Sequence, residues 1–189
     1  MNAVLKTPSI QHVASGFDVI PLIRQLNAAP ELWDQHTLRT TRYRTPHHEV
    51  SDIWVRFNGW EHFYGDPVKF TMEPHESSWY PCVAKIPAAW SLARKVMKQV
   101  KGKGLGGVLI TRIPSGGEVK PHIDQGWHAE YYDKFAVQIK GNKEQSFCFE
   151  DSQLHPLPGE LYTFNNSRLH WVTNPSAEER ITLICCIRT

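Results

Sequence analysis

The chain has few of the features that assign a protein at sight. It has only four cysteines, Cys82, Cys148, Cys185 and Cys186, and none stands in a CxxC pair. That argues against a disulfide scaffold and against a zinc knuckle. Reduced thiols in a cytoplasmic protein are expected instead, several of them serving as small core residues on apolar strands. Excess charge is also missing. Lys and Arg number 21 against 19 Asp and Glu, a formal net charge of +2. The balance excludes an obligatory nucleic-acid or anionic-membrane partner as the default reading. Long apolar runs are absent: "ITLICCI" near the end falls far short of the roughly 20 residues a membrane span needs. The opening "MNAVLKTPSIQHV" has no apolar core, so no secretion signal is predicted. There are no internal repeats, no low-complexity segments and no Pro/Gly/Ser-rich linker. What remains is ordinary for a soluble domain: 189 residues, 41% hydrophobic and 21% charged, enough for one domain with a real core.

Local patterns divide residues 1–189 into two regions of that one domain. In the first, 1–104, Asp18 is placed to cap a short helix through "VIPLIRQLNAA", which Pro30 ends. "TLRTTRYRT" and "SDIWVRFNG" read as strands. Residues 58–81 read as loop. "PAAWSLARKVMKQVKGKG" reads as the best helix, with Pro87 in its first turn and Gly102 at its C-terminal cap. From Leu105 the texture changes to short alternating segments separated by turns: "LGGVLITRI", "EVKPHID", "FAVQIKG", "EQSFCFE", "ELYTF", "LHWVT" and "RITLICCIR". About seven or eight strands in roughly 85 residues predict a β-sandwich or barrel. The fold class is α+β, mainly β, with helices and strands of 1–104 packed on a β core spanning 105–189.

Chemistry gathers in "VKPHIDQGWHAEYY". His122 and Asp124 are two apart, so on a strand they share a face while Ile123 takes the other. Alone, the pair could be structural, a catalytic dyad or half of a metal site. A further strand histidine, His170, lies 48 residues on, and a barrel can bring the two strands to one mouth. Two imidazoles and one carboxylate with coordination positions left open suit non-haem Fe(II) used for oxygen chemistry. Ten residues after His170, Arg180 opens an otherwise apolar strand, with Thr182 on its face. A guanidinium there is costly to bury unless an anion meets it, and a guanidinium beside a hydroxyl is a good fork for a carboxylate.

The order HxD, then His, then Arg-x-Thr, with "LPGELYTF" between, resembles the Fe(II)- and 2-oxoglutarate-dependent oxygenases. Residues 105–188 most resemble their aspartyl/asparaginyl β-hydroxylase-like branch. The resemblance implies a double-stranded β-helix (jelly-roll or cupin-like) core and a hydroxylase using Fe(II), 2-oxoglutarate and O₂. It implies His122, Asp124 and His170 as metal ligands, and Arg180 and Thr182 as partners of the cosubstrate's distal carboxylate. Gln138 occupies a position where the branch often has a His near the metal-side carboxylate, and Ala136 one where it often has an Arg. Lys134, on the same predicted face, is a candidate replacement, as are Tyr131 and Tyr132. Animal members of the branch lack a carboxylate at the position of Asp124. Bacterial relatives acting on free amino acids have it, so free amino acids and amino-acid residues are both open as substrates.

The loop after the HxD pair carries Trp127, His128, Tyr131 and Tyr132, expected to line a substrate pocket. Arg42 or Arg56 is expected to clamp a substrate carboxylate. His47, His48 and Glu49 read as a polar turn after Pro46, since adjacent residues on a strand face opposite ways. The glycines of "GGVLITRIPSGG" are no phosphate loop, because neither Lys-Ser/Thr nor a helix follows them. The alternatives to the oxygenase are a metal-dependent cupin enzyme that does not use 2-oxoglutarate, and a non-catalytic jelly-roll binding protein. A small-molecule substrate and O₂ are the expected partners.

Overall fold

Strand alternation splits the interior into two layers. A computed structural model describes residues 8–59 and 66–189. In chain order these form β1 (Ile10–Ala14), α1 (Ile20–Ala28), α2 (Leu38–Thr41), β2 (Ser51–Asn58), α3 (Pro67–Met72), β3 (Ser77–Trp79), α4 (Pro87–Gln99), β4 (Gly104–Ile113), β5 (Glu118–His122), α5 (Trp127–Tyr131), β6 (Asp133–Lys140), β7 (Ser146–Phe149), β8 (Gln153–Leu154), β9 (Leu161–Phe164), β10 (His170–Thr173) and β11 (Arg180–Arg188). Seven strands make one sheet in the order β1-β9-β6-β11-β4-β2-β3, and four make a second in the order β5-β10-β7-β8. Every neighbouring pair is antiparallel. The two sheets face each other as a jelly roll.

β11 shows the division most plainly. Its Ile181, Leu183, Cys185 and Ile187 pack under α1 and α4 with Leu22, Leu26, Leu92 and Val96. Arg180, Thr182, Ile184 and Cys186 point the opposite way, into the space between the sheets. β6 repeats the pattern: Phe135, Val137 and Ile139 join the helix-side core. A second cluster between the sheets joins Val119, Phe147, Phe149, Tyr162, Phe164 and Val172. Each fully buried Leu or Ile contributes roughly 1.5–3 kcal/mol, so a slip of one residue, which would send the apolar rows into the cavity, is strongly disfavoured.

Four expectations need correction or completion. "TLRTTRYRT" is not a strand. Its β-formers are overridden because the N–H groups and hydroxyls of Thr40 and Thr41 both return to the Thr37 carbonyl, closing the short helix α2. The stretch 58–81 holds α3 and β3 rather than loop alone, and its residues 60–65 lie outside the described ones. β1, unmarked in the sequence, adds an edge strand to β9. α4 ends at Gln99, and the positive φ after it (54°) belongs to Lys101 rather than Gly102. Gly102 is needed for another reason: a Cβ there would come within 2.5 Å of Ile187 Cγ2. Asp18 does meet the start of α1, accepting the Ile20 N–H at 3.2 Å.

Candidate metal centre and its cavity

β5 and β10 are hydrogen-bonded neighbours, and His122 pairs with His170 in their register. That pairing brings histidines 48 residues apart to a ring-centroid distance of 4.3 Å. Asp124 lies just past the end of β5, where its N–H donates to the Asn166 carbonyl at 3.0 Å. Its Oδ1 stands 3.4 Å from His122 Nε2. One ligand atom from each of His122, Asp124 and His170 lies within 4.8 Å of the other two. Both imidazoles are oriented alike: His122 Nδ1 meets the Lys120 carbonyl, and His170 Nδ1 the Arg168 carbonyl, each at 2.8 Å. A carbonyl accepts, so Nδ1 carries a proton and Nε2 is the nitrogen left for a metal, which takes it as the lone pair of the neutral ring. Burial lowers the His170 pKa and favours that neutral form. Burial would raise the Asp124 pKa, but the contact with His122 and the charge of Lys134 outweigh it and keep the carboxyl well below its usual range.

The triad opens on a cavity of about 1050 Å³ between the sheets. On the wall formed by β11, Arg180 is 3% exposed. Its Nη2 donates to the Tyr162 hydroxyl at 3.1 Å, and its Nε is buried without a partner. Among the described residues no carboxylate pairs with it. Thr182 sits beside it on the same face, and its hydroxyl donates to Gln138 Oε1 at 3.3 Å. Gln138 is fully buried and donates to the Lys140 and Ile181 carbonyls at 2.7 and 3.2 Å. Expected to contact a cosubstrate, Gln138 instead lies behind the wall, because both ends of its amide are committed to β6 and β11. Lys134 does reach the cavity, its Nζ donating to Cys186 Sγ at 3.1 Å.

The loop after Asp124 folds as α5, and this re-aims its side chains. Only His128 of the four expected pocket residues lines the cavity. Its Nε2 accepts the Gly107 N–H at 3.0 Å, so that nitrogen is not free for a metal. Burial, with Lys134 and His75 adding, pushes its pKa down to about 2. Trp127, Tyr131 and Tyr132 do not line the cavity. They pack on one another, with Trp127 and Tyr131 stacked at 5.0 Å and Arg188 over the Tyr131 ring at 4.5 Å. The glycine pair of β4 makes room for them: a Cβ on Gly106 would meet the Tyr132 ring at 2.7 Å and His128 Nε2 at 2.9 Å.

Arg42 and Arg56 both line the cavity. Arg56 is committed, donating to the Leu105 carbonyl at 3.1 Å and lying over Trp79 at 5.3 Å. Sequence reasoning missed the ion pair behind α2. Arg39 grips Asp52 through two bonds of 2.9 Å and Thr111 through a third of 2.9 Å. Its signal was Asp52 itself, an acid in the apolar run "SDIWVRFNG" with arginines shortly before it. The turn at His47 was anticipated; its place against His122, at 4.7 Å between ring centroids, was not.

Two imidazoles, a carboxylate and a buried guanidinium that no carboxylate of the described residues meets, all on a jelly roll, define a class: metal-dependent oxygenases with an acidic cosubstrate. The comparisons with known proteins agree. The family profile described as aspartyl/asparaginyl beta-hydroxylase matches residues 26–189, and the chain belongs to that family of hydroxylases. The fold is shared with a prolyl hydroxylase from Trichoplax adhaerens, solved with a hypoxia inducible factor peptide fragment. That match has a TM-score of 0.62 and 12% identity, covering 97% of this chain and 85% of that one. It is shared also with a viral collagen prolyl hydroxylase from Paramecium Bursaria Chlorella virus-1, solved as a 2OG complex, with TM-score 0.55 and 14% identity over 98% of both chains. A Pseudomonas putida prolyl-4-hydroxylase matches with TM-score 0.51 and 13% identity over 97% of this chain and 94% of that one. No curated protein matches by sequence. Fe(II) and 2-oxoglutarate are the cofactors of this class, and the triad and Arg180 fit them: a borderline N/O donor set for the metal, and an unneutralised buried cation for the dicarboxylate.

Proposed function

We propose that the protein is an Fe(II)- and 2-oxoglutarate-dependent dioxygenase that hydroxylates a small carboxylate-bearing substrate, such as an amino acid or an amino-acid residue. The observation that carries the reading is Arg180, buried on the same cavity as the metal-ligand triad with no carboxylate of the described residues to meet it. His122, Asp124 and His170 would hold the metal through Nε2, a carboxylate oxygen and Nε2. When bound, Fe(II) and 2-oxoglutarate supply the oxidising chemistry that places an oxygen from O₂ into a C–H bond.

The chain's own groups do the positioning. Arg180 offers a planar fork, Tyr162 keeps that fork turned inward, and the Thr182 hydroxyl would turn its proton from Gln138 Oε1 to the arriving carboxylate. Together they hold the distal carboxylate of 2-oxoglutarate. Lys134, whose charge reaches Asp124, faces the metal-side carboxylate. Ile184 and Leu109 give an apolar wall between, which excludes water from the cosubstrate's methylenes. Arg42 on the cavity wall favours an anionic substrate. The Trichoplax relative was solved with a peptide, which keeps peptide-borne residues alongside free amino acids. Among the described residues no helix is long and apolar enough to cross a membrane. With all four cysteines free, a reducing cytoplasmic setting suits the protein.

The test is 2-oxoglutarate titration with Mn(II) under nitrogen, followed by succinate release in air with Fe(II). Wild type should bind and turn over 2-oxoglutarate slowly without substrate. Binding with no dependence on Arg180 would sink the reading.

A further inference from the structure

One stretch of the cavity wall is continuous in sequence. Arg42, Tyr43, Arg44, Thr45, Pro46 and His47 all line it. This strap is rigidly mounted. Arg39 ties its start to Asp52, the Thr45 hydroxyl donates to the Arg39 carbonyl at 2.6 Å, and the Lys120 N–H donates to the Pro46 carbonyl at 3.0 Å. The His47 N–H in turn donates to the Thr45 hydroxyl at 3.2 Å. A side chain at the end of such a mount is held in place before any ligand arrives.

His47 sits edge-on to the metal ligand His122. Its Nδ1 is sealed from solvent without a partner, so Nε2 is the nitrogen that opens on the cavity. The groups facing it are Arg39, His122, Asp124 and His170. A neutral imidazole has one proton. An orphaned buried acceptor is tolerated better than an orphaned buried N–H, so the proton belongs on Nε2. The ring then presents a donor, which requires an oxygen acceptor.

The cavity wall supplies the sign of that acceptor. It carries Arg42, Arg44, Arg56, Lys134 and Arg180 besides the Asp52-bound Arg39, and Asp124 as its carboxylate. Arg180 and Lys134 are assigned to the cosubstrate. Arg56 is committed to Leu105, and Arg44 stacks on Tyr43 at 5.1 Å. The Arg42 guanidinium has no partner among the described residues. We propose that His47 and Arg42 form the substrate's carboxylate-binding subsite, with His47 determining specificity by donating its Nε2–H to a carboxylate oxygen. This rests on the oxygenase reading for its biological meaning, and it names the strap rather than α5 as the element that reads the substrate.

The experiment uses the full chain loaded with Zn(II) and saturating 2-oxoglutarate, so that the metal and Arg180 are occupied. Imidazole ¹⁵N NMR reads the His47 tautomer during titration with acetate, and with acetamide as its neutral isostere. The expected result is an Nε2–H tautomer, a saturable acetate shift, no acetamide shift, and acetate affinity falling roughly tenfold or more in Arg42→Ala. Backbone amide shifts of the strap give the acetate affinity in the His47 variants: His47→Phe, which keeps a ring against His122, should lose it and His47→Gln, which keeps an N–H, should recover part. An Nδ1–H tautomer, equal effects of acetate and acetamide, or wild-type affinity in both His47→Phe and Arg42→Ala would overturn the subsite. If the protein binds neither Zn(II) nor 2-oxoglutarate, the oxygenase reading fails on its own. Acetate titration of the metal-free protein then decides the subsite separately.

Discussion

Arg180 Nη2 donates to the Tyr162 hydroxyl at 3.1 Å across β6 on the inner face of the larger sheet, while Arg180 Nε is buried with no partner among the described residues. A buried guanidinium with one neutral partner is set for an anion. Arg180→Ala should weaken 2-oxoglutarate binding by roughly 2–5 kcal/mol, or about 30- to several-thousand-fold. Arg180→Lys should recover only part, because a point charge lacks the planar fork. Tyr162→Phe removes one neutral-group bond and should cost about 0.5–1.5 kcal/mol. Titration with Mn(II) under nitrogen measures all three, and equal affinities across the series would refute the assignment.

Asp124→Ala removes the anionic ligand of the triad. Metal affinity should fall by more than the roughly 10–100-fold that a ligand's hydrogen-bond partner is worth. Mn(II) electron paramagnetic resonance reads the free ion directly. Retention of wild-type affinity would mean that the metal lies elsewhere.

Gln138 acts through Thr182 and the strands. Gln138→Leu strands the Lys140 and Ile181 carbonyls that the amide now meets. Stability should drop by about 1–3 kcal/mol, seen as a lower urea midpoint. The 2-oxoglutarate affinity should change far less than in Arg180→Ala. The reverse ranking would place Gln138 on the cosubstrate after all.

Gly106→Ala tests the packing of α5. The new methyl would press on the Tyr132 ring and on His128, and overpacking of this kind costs typically about 1–3 kcal/mol. Thermal unfolding should show the loss, and a neutral result would mean that α5 moves aside freely.

His128 sets a pH dependence. Its folded pKa is pushed down to about 2 from an ordinary 6.5. The unfolded chain therefore takes up the proton first, and the contribution is complete above about pH 6.5 and lost as pH falls below it. The slope it adds approaches ~1.4 kcal/mol per pH unit. Urea unfolding between pH 7 and 4.5 should show a shallower dependence in His128→Gln than in wild type. Parallel curves would show that His128 already titrates normally in the folded state.

The sequence by itself determined the strands of the β core and the identity of the candidate ligating groups, because a period of two is a local property. In β11 it sends Ile181, Leu183, Cys185 and Ile187 to one layer and Arg180, Thr182, Ile184 and Cys186 to the other. An Arg in such a run, and a carboxylate two residues from a histidine, are visible without coordinates. Tertiary structure alone decided what the cavity wall is made of. Gln138 and Arg180 share a face by periodicity, yet one is locked behind the wall by two carbonyls and the other is left open. Trp127, Tyr131 and Tyr132 turn away because α5 packs on glycines of β4. Arg39 reaches Asp52 and Thr111, 13 and 72 residues along the chain, only because β2 lies beside β4. His47 meets His122 through the strap that this pairing anchors. Such contacts follow from which strands become neighbours, and the free energy of that choice is spread over the whole core rather than written in any one segment.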